Sequence, residues 1–145
     1  MFALTTFIYF RNLPVKMLTV KDCTLIKPLF CSKDANVVEV AKILRENKQR
    51  RIIIIDDKDA PIGIISTTDI NNRVAAESKD ASRLKAQEVM TSPIFLVCDI
   101  SDSLDAIFKK MVEHESFFCP VTDHGKLYGI LTYGELIKKL QESGK

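Results

Sequence analysis

The chain has 145 residues, 46% of them hydrophobic and 28% charged, with 21 Lys and Arg set against 19 Asp and Glu for a formal net charge of +2. That balance describes one compact globular unit with enough apolar residues for a core, and it excludes a disordered chain. Charges of both signs are mixed along the sequence, so no clustered cationic excess argues for a nucleic acid or a membrane surface.

Residues 1–16 begin with an apolar run, Met1 to Phe10, closed by Arg11 and Asn12. The run is shorter than the roughly 20 residues that span a bilayer, and it lacks the basic start and small-residue cleavage site of a secretory signal. It reads as an N-terminal arm packed on the body or a neighbour, or as an extension ahead of a start at Met17. Pro28 to Cys31 then reads as an extended segment, with Asp34 placed to cap a helix. Val37, Val40, Ala41 and Leu44 follow at i, i+3, i+4 and i+7, which is one face of that helix. Ile52 to Ile55 is a short β-branched run suited to a buried strand. The turn formers from Asp56 to Pro61 deliver a second strand, and a second helix follows Thr68. Asn71 to Gln87, polar with Ala and Lys, reads as a connector.

The same series then recurs at offsets of 65 to 67 residues. Pro93 to Val97 is extended, and Ser101 is the expected cap. Leu104, Ile107, Phe108 and Met111 form the helix stripe. Cys119 to Thr122 is the buried strand, Asp123 to Lys126 the turn, and a helix follows Gly134. A fixed-period repeat of this kind predicts two copies of one β-α-β-β-α unit, an α/β (α+β) fold, divided as 17–78 and 79–145.

The chemistry concentrates where the second strand of each copy meets its helix. In Gly63-Ile64-Ile65-Ser66-Thr67-Thr68-Asp69, the glycine permits a close approach by backbone or ligand. Ser66 and Thr68 stand at a helix N-terminus, which favours anions, and Asp69 can accept from a diol. Two readings stay open from these residues: a nucleotide pocket, or hydroxyls that cap the helix and an acid that offsets its dipole. Cys23, Cys31, Cys98 and Cys119 form no C-x-x-C pair and read as free, buried thiols of a reducing cytoplasm. A Cys31 to Cys98 bridge is the one pairing worth checking, because the two occupy matching positions. His114 and His124 lack a nucleophile or carboxylate partner at a recognisable spacing, and no Walker, H-E-x-x-H or G-x-S-x-G motif occurs.

The duplicated patterns Arg50-Arg51-Ile52-Ile53-Ile54-Ile55-Asp56, Gly63 to Ile70, Gln87 to Pro93 and Cys119 to Asp123 make Met17 to Lys139 resemble a tandem pair of CBS domains, the family named for cystathionine beta-synthase. The resemblance implies two repeats packed about a pseudo-twofold axis, with adenosine-bearing ligands such as AMP, ADP, ATP or S-adenosylmethionine in the clefts between them. It also implies that two pairs join into a disc-shaped homodimer. Carried across, Asp69 would hold ribose hydroxyls, Ser66 and Thr68 would meet phosphate or ribose, and Arg50 and Arg51 would reach for phosphates. Asp102, Ile107, Phe117 and Phe118 would face the Asp69 site. Ala35 and Val40, with Arg50 and Arg51, would face a second, weaker site at Thr132 and Glu135, where Gly134 replaces Thr68 and Glu135 replaces Asp69.

The reading is a stand-alone regulatory module of the cytoplasm, not an enzyme, which requires no cofactor or metal and acts on itself or on a protein target. The competing readings are a nucleic-acid or protein-interaction adaptor without a nucleotide ligand, and an enzyme or a redox protein acting through its cysteines.

Overall fold

The computed structural model describes residues 17–143; the expected N-terminal arm of residues 1–16 lies outside them. The first sheet runs in the order β1 (Phe30–Ser32), β2 (Arg51–Ile55), β3 (Pro61–Ser66). Between its first two strands runs helix α1 (Val37–Asn47), and β3 leads directly into the short α2 (Thr67–Ile70). A connector containing α3 (Ala86–Val89) leads to the second sheet, β4 (Cys98–Asp99), β5 (Phe118–Asp123) and β6 (Lys126–Thr132). Helix α4 (Leu104–Glu113) precedes β5 and α5 (Tyr133–Ser143) follows β6.

The expected β-α-β-β-α order is present twice, and the registers match. Cys31 lies opposite Ile54 in a parallel pair, as Cys98 lies opposite Val121. The antiparallel hairpins carry a register irregularity at equivalent places, Ile54/Ile55 and Val121/Thr122. Val37, Val40 and Leu44 bury the stripe of α1 against one sheet, and Leu104, Ile107 and Met111 bury that of α4 against the other. Full burial of each such side chain is worth about 1.5–3 kcal/mol, which fixes the helix rotation and hence which residues at its ends remain outside.

Local chemistry corrects several expectations. The helix caps are Asn36, accepting from the Val38 N–H at 2.9 Å, and Ser103, accepting from the Ala106 N–H at 3.3 Å. Asp34 and Ser101, two residues earlier, belong to the preceding turns: the Asp34 N–H donates to Ser32, while Ser101 bonds Asp99. The second copy's first strand falls at Cys98–Asp99 rather than at Pro93 to Val97. Both second helices begin at Thr67 and Tyr133, two residues earlier than expected, and the first ends at Ile70 in a π-helical turn, Asn71–Ala75.

The flanking segments pack crosswise. Ala86 and Val89 of the connector sit in the first core, and Val20 sits in the second. The Ala86 N–H donates to the Ala35 carbonyl at 2.7 Å, and its counterpart Val20 donates to Asp102 at 3.0 Å. Ile64 exchanges hydrogen bonds with Thr91, and Ile130 does so with Ile26. These bridges explain Gly63 and Gly129: a Cβ on Gly63 would run into Met90 and come within 3.0 Å of the Thr91 carbonyl, and one on Gly129 would lie 3.0 Å from Leu25 Cβ. The close approach anticipated from the glycine is by this chain's own backbone.

Candidate functional site

Among the described residues, two repeat-related cavities lie where the helix ends and strand starts of the two copies meet. The larger, about 600 Å³, is walled by Ile26, Lys27, Pro28, Leu29, Asn47, Gln49, Arg51 and Ile53 on one side and Phe118, Ile130 and Thr132 on the other, with Ile64. Its counterpart, about 450 Å³, is walled by Ile94, Phe95, Leu96, His114, Glu115, Ser116, Phe117, Phe118 and Pro120, with Arg51 and Ile64. Asn47, Gln49, Arg51 and Ile53 are the repeat equivalents of His114, Ser116, Phe118 and Pro120, so the two spaces are one architectural feature lined twice. Arg51 and Phe118 are equivalent positions that meet: the guanidinium lies 5.4 Å from the ring centroid, and the pair borders both cavities. A cation held over a ring face keeps its fork of donors available to an anion.

Among the residues singled out from sequence, the structure brings Arg51, Phe117, Phe118 and Thr132 to the cavity walls. Arg50 goes elsewhere. Adjacent residues entering a strand point to opposite faces, and Arg50 lines an outer groove with Ala41 and Thr67. Ile107 and Val40 are fully buried in the two cores and offer a ligand no surface. Asp102 and Ala35 stand at the turns before the helices, where their carbonyls receive the flanking segments and the Asp102 carboxylate accepts from the Asp99 N–H at 2.8 Å.

The two acids are occupied differently. Ser66 and Asp69 form a reciprocal cap, with the Asp69 N–H donating to Ser66 Oγ at 3.1 Å and the Ser66 N–H donating to Asp69 Oδ2 at 2.8 Å. Asp69 also lies 3.8 Å from Arg73. Thr68 is exposed beside this cap. In the second repeat Thr132 Oγ1 accepts from the Glu135 N–H at 3.2 Å, but the longer Glu135 side chain reaches away and accepts from the Thr24 N–H at 2.7 Å. Burial first, and Glu135 second, push the neighbouring Cys23 thiol up to about 11.

Sequence reasoning missed Lys27, Asn47, Gln49, Phe95 and Ser116 as wall residues. The signal was the repeat itself: residues at the end of the stripe helix and the start of the next strand fall at the cleft in both copies. All four cysteines are free, and Cys31 and Cys98 lie in separate cores, which leaves no geometry for a bridge between them. A side-chain hydrogen bond with Cys119, together with burial, raises the Cys98 thiol well above the usual range. Among the described residues no group of three His, Cys, Asp or Glu is placed to hold a metal ion, and no helix is long and apolar enough to cross a membrane.

The model of the CBS domain matches the chain twice, at residues 20–76 and 86–142. Protein MK0525 of Methanopyrus kandleri is 31% identical over 108 residues, 74% of this chain and 55% of its own length. A homoserine O-acetyltransferase of Methanosphaera stadtmanae is 28% identical over 114 residues, 78% of this chain and 22% of that protein. The chain thus spans about half, or less, of the length of these relatives. The solved CBS domain pair of protein MJ0100, in complex with 5'-methylthioadenosine and S-adenosyl-L-methionine, is 26% identical with a TM-score of 0.64, covering 90% of this chain and 100% of that one.

Proposed function

The chain belongs to the CBS domain family, and from that premise we propose that it is a regulatory module binding an adenosine-bearing ligand, of the AMP, ADP, ATP or S-adenosylmethionine type, between its two repeats. The observation that carries this reading is the pair of repeat-related cavities sharing Arg51. The cavity beside Thr132 sets Lys27 and Arg51 at one wall for a phosphate or other anion, with the Thr132 hydroxyl opposite. Ile26, Leu29, Ile53 and Ile130 give a purine its apolar walls. In the counterpart, Phe95, Phe117 and Phe118 supply aromatic faces, suited to a base or an uncharged adenosine derivative. The ligands of the MJ0100 pair, 5'-methylthioadenosine and S-adenosyl-L-methionine, both bear adenosine.

Asp69 and Glu135 are the proposed ribose acceptors, with Thr68 beside the first and Ser66 serving as its helix cap. Glu135 at present accepts from the Thr24 N–H, and a diol that competes for that carboxylate would loosen the flanking segment at Thr24, a route by which occupancy becomes a change of conformation. The role is regulation rather than catalysis, in a reducing compartment such as the cytoplasm, in a homodimer, and with no required cofactor.

A thermal-shift series over AMP, ADP, ATP, S-adenosylmethionine and methylthioadenosine tests the reading. A ligand at 100 times its Kd adds about 2.7 kcal/mol, and at least one of the five is expected to raise Tm accordingly. No shift with any of them would overturn the proposal and favour an adaptor, which a salt-dependent nucleic-acid titration would then separate from a protein-binding one.

A further inference from the structure

Three residues border both cavities: Arg51, Phe118 and Ile64. Arg51 and Phe118 open their strands and are paired in register with Ser66 and Thr132, so what can turn without breaking a strand pair is each side chain. Among the described residues the Phe118 ring is the partner of the Arg51 guanidinium, at 5.4 Å, and no carboxylate pairs with it. Arg51 is exposed, and at an exposed site a cation–π contact is weaker than the charge-assisted hydrogen bonds a guanidinium makes to a phosphate. An anion entering either cavity therefore draws the guanidinium off the ring.

The remaining charged residues tell the two cavities apart. Lys27 stands on the larger one and Glu115 on its counterpart, beside His114. With Arg51 turned toward Lys27, the larger cavity holds two cations, while the counterpart keeps a carboxylate and the faces of Phe95, Phe117 and Phe118. Volumes of about 600 and 450 Å³, each in the range of small-molecule sites, and walls that are otherwise separate let both fill at once. One guanidinium then serves two ligands, and their charges decide where it goes.

We propose that Arg51 couples the two cavities: an anionic nucleotide beside Thr132 withdraws the guanidinium from Phe118, which strengthens binding of an uncharged adenosine ligand in the counterpart and weakens binding of a second anion there. The base of the uncharged ligand stacks on the released ring face. A second phosphate instead meets Glu115 with no cation left to hold it. The effect is reciprocal, because a ligand that takes the ring leaves Arg51 to the anion, and each must change the other's affinity by the same factor. The coupling rests on the adenosine-binding reading above and assigns each cavity the charge of its ligand.

Calorimetry with AMP and methylthioadenosine, each titrated alone and beside a saturating concentration of the other, measures that factor. Each is expected to lower the other's Kd about fivefold or more, by the same ratio, with one AMP per chain across the range that saturates the first site. Arg51→Met keeps the apolar stem at an exposed position and loses the guanidinium. It should weaken AMP and bring the factor to one at AMP concentrations that still saturate. Phe118→Leu, which keeps Lys27 and Arg51, should also bring the factor to one. Unchanged Kd values, mutual exclusion, two equal AMP sites, no uptake of methylthioadenosine beside AMP, or a factor that survives Arg51→Met overturns the coupling alone. If neither compound binds, the coupling falls, and the thermal-shift series decides whether the adenosine reading falls with it.

Discussion

At the cavity beside Thr132, the end of α1 and the start of β2 contribute Asn47, Gln49 and Arg51; at its counterpart the same positions in α4 and β5 contribute His114, Ser116 and Phe118. The residues that hold these positions in place scarcely differ in kind: Val37, Val40 and Leu44 bury one helix, Leu104, Ile107 and Met111 the other. The comparison teaches how a duplicated frame specialises. Apolar stripes and paired strands fix where a helix ends and a strand begins, and whatever stands at that junction faces the cleft. One copy can therefore hold cations and amides while the other holds rings, with the order of elements unchanged.

Replacing Arg51, the one charged residue common to both cavities, should break the comparison most strongly. Arg51→Ala removes charge-assisted bonds worth about 1.5–3 kcal/mol, a loss of roughly 10- to 150-fold in affinity for a phosphate-bearing ligand by calorimetry. Phe118→Ala removes the ring beneath the guanidinium as well as one aromatic wall, and the cation–π part of the loss should be about 0.5–1 kcal/mol.

Next come the two glycines. Gly63→Ala and Gly129→Ala force a methyl group against the crossing segments, and each should destabilise by about 1–3 kcal/mol in urea or thermal unfolding. If either is neutral, the segment crossing that repeat is less tightly apposed than its hydrogen bonds imply.

Smaller effects separate the two hydroxyls. Ser66→Ala and Thr132→Ala each lose a helix cap, about 1 kcal/mol of stability. Only Thr132 lines a cavity, so only Thr132→Ala should also weaken binding in the cleft it borders; an equal loss from Ser66→Ala would show both caps to be ligand contacts.

The smallest effect is local and pH-dependent. Asp56 accepts from the Lys58 and Ala60 N–H groups in the first hairpin turn, and these bonds hold its carboxyl below the usual range. Because the folded value lies below the unfolded one, the contribution is complete above about pH 4 and is lost as pH falls through the folded value. Amide exchange at Lys58 and Ala60 should quicken in that acid range, and Asp56→Asn should abolish the pH dependence. The second hairpin turn, where Asp123 pairs with His124 at 2.8 Å, lacks this arrangement.

The order of elements was legible because period and repeat reinforce each other: the α1 and α4 stripes, the Ile52 to Ile55 run and both hairpin turns fall where the pattern puts them. Helix starts were less legible. Asp34 and Ser101 are as good cap residues as Asn36 and Ser103, and only the first buried stripe residue, Val37 or Leu104, decides between them. The crosswise packing of Val20 and Ala86 left no local signal, since it depends on which core a short apolar segment reaches. At the clefts, taking Arg50 and Arg51 together ignored the alternation that sends one outward. Naming Ile107 and Val40 as ligand contacts overlooked that the stripe which identifies a helix is also the face it buries. For Asp69, the cap reading left open by the sequence describes the contacts present in this structure.

The most direct test of a ligand held between the repeats is a crystal structure of the protein with the adenosine compound that gives the largest thermal shift. The account predicts that its density lies between the repeats, with Arg51 on its phosphate or carboxylate end and the Thr132 hydroxyl within hydrogen-bond distance. Density on an outer face, with both cavities holding solvent alone and Arg51 still lying over Phe118, would contradict it.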